Sequence, residues 1–176
     1  HRLSKINNSS ITPSIGYSIH KQNLTMTNGF QSIDLILPVE TGPFSGLNST
    51  YNTKWQGPFL GLSLNTTLNH KHNIEVSGQL HIVSYYADAN WNLRSDFNHP
   101  KSFEHEANGA GATLNLEYGF KPGKNLSYTT SISHQNFSTG SGIDRTFFSS
   151  GAVTEVKLDQ VNWTSTSLML GLKYEL

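Results

Sequence analysis

Apolar and polar residues alternate with a period of two along most of this 176-residue chain. The clearest run ends the chain, where Gly171, Lys173 and Glu175 fall on one side of the pattern. The other side is apolar and consists of Leu168, Leu170, Leu172, Tyr174 and Leu176. Side chains of a strand point alternately to its two faces, so this spacing predicts a β-strand and not a helix.

The same alternation predicts seven further strands, at residues 11–19, 33–39, 47–55, 60–68, 74–82, 110–120 and 126–132. Three connectors are tight and polar, at residues 41–44, 69–73 and 121–125. Two connectors are long, at residues 88–108 and 138–160, and one short connector is predicted at Gln56-Gly57-Pro58. Together these elements predict an all-β fold with a single domain over residues 1–176, built as an eight-stranded antiparallel up-and-down transmembrane β-barrel.

Composition decides which face of the strands points outward. Charged residues make up 14% of the chain and aromatic residues 11%. A face in water normally carries Lys and Glu, but the polar face here is mainly Gly, Ser, Thr, Asn and His, which suits a narrow lumen. The apolar face should therefore contact lipid, with one aromatic girdle at each rim. The predicted girdles are Tyr118, Phe120, Tyr128 and Tyr174 at one rim, and Trp55, Phe59 and Tyr86 at the other.

Several classes of function are excluded by composition. The net charge is zero and no basic patch is present, so no nucleic-acid partner is expected. The chain has no Cys, which removes disulfides and thiol chemistry. No apolar run reaches the length of a transmembrane helix. The first residue is His1, so the sequence is expected to be either a mature form without its signal or part of a longer chain.

The chain ending Gly171-x-x-Tyr174-x-Leu176 resembles the C-terminal assembly signal of bacterial outer-membrane β-barrels. As a whole, the pattern resembles small barrels of the OmpA/OmpX type, and residues 55–62, 142–148 and 161–163 resemble omptin-like barrels. This resemblance implies a bacterial outer-membrane location, with short periplasmic turns and long extracellular loops. It also implies contact with outer-membrane lipid and lipopolysaccharide, and a lumen filled by side chains rather than a wide pore.

The two long loops are the predicted site of interaction, because binding residues concentrate in loops held by a rigid scaffold. Aromatic anchors concentrate binding energy, and arginines pair with anionic groups of lipopolysaccharide or of a partner protein. The candidate binding residues are Trp91, Arg94, Phe97, Phe103, Arg145, Phe147 and Phe148. The alternative is that the aromatic residues only pack the loops against each other.

A barrel enzyme, either an omptin-like protease or a lipid-modifying hydrolase, is the alternative function. Asp96 with His99, or Glu104 with His105, could activate water. Neighbouring residues of a strand point to opposite faces, however, so Glu104 and His105 would not converge in extended structure. No catalytic residue, metal site or cofactor is therefore predicted. A soluble β-barrel or β-sandwich binding protein is the second alternative.

Overall fold

A computed structural model describes residues 4–6, 8–32 and 41–175 of the chain. Within these residues, no helix is long and apolar enough to cross a membrane. The described strands are β1 (Ser4–Ile6), β2 (Ser9–Met26), β3 (Phe30–Gln31), β4 (Gly42–Pro43), β5 (Ser49–Asn69), β6 (His72–Asn90), β7 (Phe103–Phe120), β8 (Leu126–Thr139), β9 (Gly142–Phe147), β10 (Val153–Leu158) and β11 (Asn162–Tyr174).

Six strands of 13 to 21 residues form the body of the molecule. They lie in the order β2-β5-β6-β7-β8-β11, each antiparallel to the next. The short strand β1 pairs with β2, and the β9–β10 hairpin joins the sheet where β9 pairs with β7. This architecture confirms the all-β, antiparallel up-and-down class.

The eight predicted segments do not map one to one onto these strands. Residues 47–55 and 60–68 belong to one strand, β5, so the connector predicted at residues 56–58 is wrong. Residues 33–39, the other strand predicted before β5, lie outside the described residues. The predicted tight turns at 69–73 and 121–125 are confirmed, because β5 and β7 end there and the next strands begin within a few residues.

Gly57 and Pro58 interrupt the ladder between β5 and β6 without turning the chain. The ladder runs to Gln56 opposite Ser84 and resumes at Phe59. Pro58 has no backbone N–H to donate. A Cβ on Gly57 would lie only 1.9 Å from the carbonyl oxygen of Ile82, so glycine allows the two backbones to approach closely.

The molecule has two distinct ends. The tight-turn end carries the turns after β5 and β7, together with the start of β2 and the end of β11. The outer end carries residues 27–32, 41–48 and 91–102 and the β9–β10 hairpin. The segment 41–44, predicted as a turn at the tight-turn end, lies at the outer end instead, because β2 leads there and β5 returns in one uninterrupted crossing.

The predicted long loops are largely strand. β6 continues to Asn90 and β7 begins at Phe103, which leaves a connector of only residues 91–102. The second predicted loop contains the β9–β10 hairpin. At the outer ends of β6 and β7 the period of two continues, but the apolar residues, such as Tyr85, Ala87 and Ala107, are now on the inward face. A pattern sought only on the outward face therefore ends these two strands too early.

The outward face carries an apolar band across the part of the sheet between the tight-turn end and the outer third. This apolar band comprises Leu60, Leu62, Leu80, Ile82, Leu114, Leu116, Ile132 and Leu170, all exposed. On the opposite face, Thr113 and Ser133 are buried, and Ser63 and Asn115 are half-buried. The predicted facing of the leucines and of these polar residues is therefore confirmed.

The two faces exchange character above the apolar band. In β6 the outward series changes from Ile82 to the polar Ser84. The inward series changes at the same level from His81 to Val83 and Tyr85, which are 2% and 3% exposed. The outer third of the sheet is therefore built like a water-soluble barrel, with its core inside.

Aromatic rings fill the interior at this transition. Phe137 on β8 is fully buried, with ring centroids of His20 and His81 at 5.1 Å, Trp163 at 5.4 Å and Trp55 at 5.9 Å. These rings come from five different strands. They close the lumen with packed side chains at this level.

The predicted outer girdle is wrong for Trp55 and Phe59. Because β5 is continuous, its even-numbered residues, including Leu62, face outward, and the odd-numbered Trp55 and Phe59 must face inward. Trp55 is only 2% exposed and packs against Tyr85, with 4.6 Å between the ring centroids. The lower girdle lies on the outward face at the tight-turn end as predicted, with exposed Tyr118, Tyr128 and Tyr174 beside Phe120.

Leu116→Arg places a charge in the middle of the apolar band. We expect it to lower the free energy of unfolding by about 2–4 kcal/mol, because the guanidinium must enter lipid. Denaturant titration of the protein refolded in lipid vesicles measures this change. The inward Ser127→Asn is the control and should cost less. Equal tolerance of the two variants would contradict the assignment of the outward face to lipid.

Phe137→Ala removes the ring at the centre of the interior cluster. We expect a loss of about 3–5 kcal/mol in the free energy of unfolding, because a cavity is left among four other rings. The same refolding titration measures this loss, with Phe30→Ala as the control, because Phe30 is 64% exposed. A similar small effect of both variants would show that the interior repacks freely.

Candidate functional site

The inward face at the outer end encloses an open cavity of about 770 Å³, called the mouth cavity below. Its walls come from five strands and from the connector after β6. The apolar part of the lining consists of Leu24, Met26, Ala89, Trp91 and Phe103. Its hydrogen-bonding part consists of Thr25, Ser49, Thr50, Tyr51, His105 and Asp144.

A chain of polar side chains runs along one wall of the mouth cavity. The β7–β9 register sets His105 opposite Asp144, with His105 Nε2 3.5 Å from Asp144 Oδ1. The other imidazole nitrogen, Nδ1, lies 3.1 Å from the Tyr51 hydroxyl, which is 2.6 Å from the Tyr85 hydroxyl. Burial raises the pKa of both tyrosines, so both are neutral hydroxyls at neutral pH.

Asp144 is incompletely satisfied in this arrangement. Its Oδ1 atom is buried and has no hydrogen-bond partner, although the His105 imidazole is nearby. Buried carboxylate oxygens are normally hydrogen-bonded, so an exception requires an explanation. The Asp144 side chain lines the mouth cavity and contributes its negative charge there.

The rim of the cavity is formed by an aromatic loop cluster, Trp91, Phe97, Phe103 and Phe148. Phe97 is central and buried, with Phe103 at 4.8 Å and Phe148 at 5.7 Å between ring centroids, and Trp91 lies 5.0 Å from Phe103. The Arg94 guanidinium stacks on Phe97 at 4.4 Å. Phe97 and Phe148 therefore pack the two connectors together, whereas Trp91 remains 45% exposed.

Backbone hydrogen bonds fix the connector 91–102 to the hairpin. The Asn98 N–H donates to the Phe147 carbonyl at 2.8 Å, and the Ser149 N–H donates to the Asp96 carbonyl at 2.9 Å. The fully buried Ser102 donates its hydroxyl to the Asn98 carbonyl and accepts from the Trp91 N–H at 3.0 Å. The rim is thus held in one conformation by local contacts.

The outward side of the same strands carries an ion-pair cluster, called the outer wall: Lys101, Glu104, Glu106, Arg145 and Glu155. Arg145 donates to Glu104 at 2.9 Å, to Glu106 at 2.8 Å and to Glu155 at 2.6 Å. Glu104 also accepts from Lys101 and from the Tyr86 hydroxyl. Hydrogen bonding from Lys101 is the largest influence that lowers the pKa of Glu104.

The structure separates the seven predicted binding residues into three groups. Trp91 and Phe103 line the mouth cavity. Phe97, Phe148 and Arg94 form packing contacts within the connectors, and Arg94 also pairs with Asp96. Arg145 belongs to the outer wall, and the ring of Phe147 lies 5.8 Å from the Lys101 ammonium.

Neither of the two residue pairs considered for the alternative enzyme function forms. Asp96 is bound by Arg94 at 2.7 and 2.8 Å, and His99 contacts Asn90 and the Arg94 carbonyl instead. Glu104 lies on the outer wall and His105 faces the mouth cavity, which confirms that neighbouring residues diverge here.

Tyr51 and Asp144 were missed as partners of His105. The sequence predicts a loop over residues 138–160, and a loop gives no cross-strand partner for Asp144. The structure pairs Asp144 with His105 instead. Recognising the alternation from Ile143 to Phe147 as a strand was the one available signal.

Comparison with known proteins identifies the family. The model of the Protochlamydia outer membrane protein family matches residues 4–176. The chain belongs to this family. It is therefore an outer-membrane β-barrel protein, and its location in the bacterial outer membrane is confirmed. No curated protein matches the sequence.

A solved structure similar to this chain is the outer membrane protease OmpT from Escherichia coli. The two align with a TM-score of 0.66 and 13% sequence identity, over 98% of this chain and 60% of the protease chain. This chain thus spans about 60% of the length of that protease. At this identity, the likeness shows a shared fold, and it confirms the resemblance to outer-membrane barrels.

The lowered pKa of Glu104 predicts how the outer wall responds to acid. A carboxyl whose pKa is lower in the folded state stabilises the fold above its ordinary pKa of 4.5, and this contribution is lost as pH falls through the folded value. We expect Glu104→Gln to cost about 2 kcal/mol at pH 7, and less at low pH. Thermal unfolding followed by circular dichroism from pH 7 to pH 3 measures the difference.

The exposed Glu155→Gln is the matched control for Glu104→Gln and should change stability little at any pH. A cost of Glu104→Gln that is the same at pH 3 and pH 7 would contradict the role assigned to its ionised form.

Proposed function

We propose that this outer-membrane barrel is a surface binding protein whose connectors at the outer end hold a small ligand in the mouth cavity. The observation that carries the proposal is the cavity itself, a concavity that combines apolar and aromatic side chains with hydrogen-bonding groups. Ligand sites commonly combine such a lining with a small number of oriented polar groups. The mouths of β-barrels are a recurrent location for them.

The rigidity of the rim supports this proposal. Connector 91–102 and the β9–β10 hairpin are joined by backbone hydrogen bonds and by the buried ring of Phe97. Ordering a loop on binding costs free energy, so a rim that is already ordered favours affinity. The packing of these aromatic rings is therefore compatible with a binding role. It orders the rim, while Trp91 and Phe103 still line the cavity.

The filled interior below the cavity supports binding over passage of solutes. Phe137 and Trp55, both nearly or fully buried, lie beneath the Tyr51–Tyr85 pair and close the lumen. A ligand that enters the mouth cavity therefore meets a packed floor.

The two arginines predicted to bind an anionic partner are poorly suited to that role, because their charges are already paired. Arg94 is paired with Asp96, and Arg145 is paired with three glutamates. An incoming phosphate would have to displace these carboxylates. We propose that lipid and lipopolysaccharide surround the barrel as its solvent, and that the rim and the cavity serve recognition, of a small ligand or of a partner protein that inserts a side chain.

A hydrolase is the second candidate function, favoured by the position of the His105 imidazole between Tyr51 and Asp144. A histidine oriented by a carboxylate can act as a general base toward water. Hydrolysis of a fluorogenic peptide that is lost in His105→Ala, while the barrel remains folded, would favour this candidate over a binding protein.

The binding proposal is tested with the chain refolded in detergent micelles. Three aromatic fragments of similar size are titrated and followed by saturation-transfer NMR against empty micelles: benzyl alcohol, phenylacetate and benzyltrimethylammonium. We expect at least one to bind, and Ala89→Phe to abolish that binding because the new ring occupies the cavity. Heat-modifiable migration on a detergent gel reports that the variant is folded.

Met26→Trp provides a second way to block the cavity, at a position that is 64% exposed and so tolerant of added volume. Phe30→Trp, an equally exposed residue outside the cavity lining, is its control. Absence of binding by all three fragments, or binding unchanged in both blocking variants, would contradict the proposal.

A further inference from the structure

We infer that the mouth cavity is a site for a water-soluble organic cation, specifically a quaternary ammonium group on a small apolar body. This inference rests on the proposed function and names the chemical class of its ligand. The observation behind it is that an aromatic cavity and an unpartnered carboxylate oxygen share one wall.

The sign of the ligand charge follows from Asp144. It is the one carboxylate among the described lining residues, and that lining contains no Lys or Arg. Its buried Oδ1 has no hydrogen-bond partner, and Arg145, the neighbouring cation in the chain, faces the opposite side of β9. His105 adds a positive charge only when protonated. The Asp144 carboxylate would attract a cation in the cavity, whereas it would repel an anion.

The aromatic side chains indicate what kind of cation fits. Trp91, Phe103 and Tyr51 all line the cavity, and the negative faces of such rings attract cations. A primary ammonium or a guanidinium carries N–H groups that each need an acceptor. The rings of Trp91 and Phe103 offer no acceptor for such N–H groups. A quaternary ammonium has no N–H to satisfy, so it gains from the rings and from Asp144 without leaving donors unpaired.

The position of the cavity excludes a bilayer lipid as the source of this group. The lining residues His105 and Asp144 lie on the inward face, and the apolar band that meets lipid lies on the outward face of the same strands. A headgroup anchored in the membrane would have to cross the wall of the barrel. The ligand is therefore a free compound that enters from outside.

Isothermal titration with benzyltrimethylammonium, benzylamine and benzyl alcohol tests the inference on the full refolded chain. We expect the quaternary compound to bind at least about tenfold more tightly than either of the others. Asp144→Asn should weaken it by about tenfold or more, because the substitution removes the charge and keeps the shape. Trp91→Leu, at an exposed position of the rim, should weaken it severalfold while Trp91→Phe largely preserves it.

Glu155→Gln is the matched control, since it removes a carboxylate from the adjacent strand on the outer wall and should leave binding unchanged. Preference for benzylamine or benzyl alcohol, or full binding by Asp144→Asn, would overturn the inference. If benzyl alcohol or phenylacetate binds at least as tightly as benzyltrimethylammonium and Ala89→Phe removes that binding, the cation inference fails and the proposed binding function stands. If no fragment binds, both fail.

Discussion

The constraint on which the structure depends is the fixed alternation of side chains along unbroken strands. A strand of 18 to 21 residues cannot change which residues face inward without a bulge or a turn. Yet β5, β6 and β7 each extend from lipid to water and must present opposite chemistry at their two ends. The chain meets this demand by a change in sequence: the same alternate positions continue to face inward, but they change from polar to apolar residues. Ile82 and Val83 mark the point of reversal on β6, where the apolar side chains move from the outward to the inward face.

The arrangement of side chains at the outer end follows from that reversal. With its core inside, the upper sheet can carry charged residues outward, and Arg145 then binds three glutamates on two neighbouring strands. The same strands send His105 and Asp144 inward to the mouth cavity. Alternate residues of β7 and β9 therefore belong to the outer-wall ion-pair cluster and to the lining of the mouth cavity.

Much of the fold could be predicted from sequence because lipid imposes a simple pattern. The apolar outward series containing Leu62, Leu114 and Leu170 is unambiguous, and the tight turns follow from it. The prediction is wrong where the apolar side chains move from the outward to the inward face of the strands. Trp55 was placed outside because the Gly57-Pro58 pair suggests a turn, although local signals cannot distinguish a turn from an interruption of one ladder. The site shows the same limit: Trp91 and Phe103 were named, but Asp144 meets His105 only through the non-local β7–β9 pairing.

The incomplete satisfaction of Asp144 is best understood through this same pairing. A buried carboxylate oxygen without a hydrogen-bond partner destabilises a fold by about 1–3 kcal/mol. The surrounding structure is well able to hold it, because the rim is closed by backbone hydrogen bonds and the Tyr51–Tyr85 pair orients His105 beside it. Proteins depart from local consistency mainly at functional or strained positions. The Asp144 carboxylate at the wall of the mouth cavity is thus a better candidate for recognition than Arg94 and Arg145, whose charges are already paired within the chain.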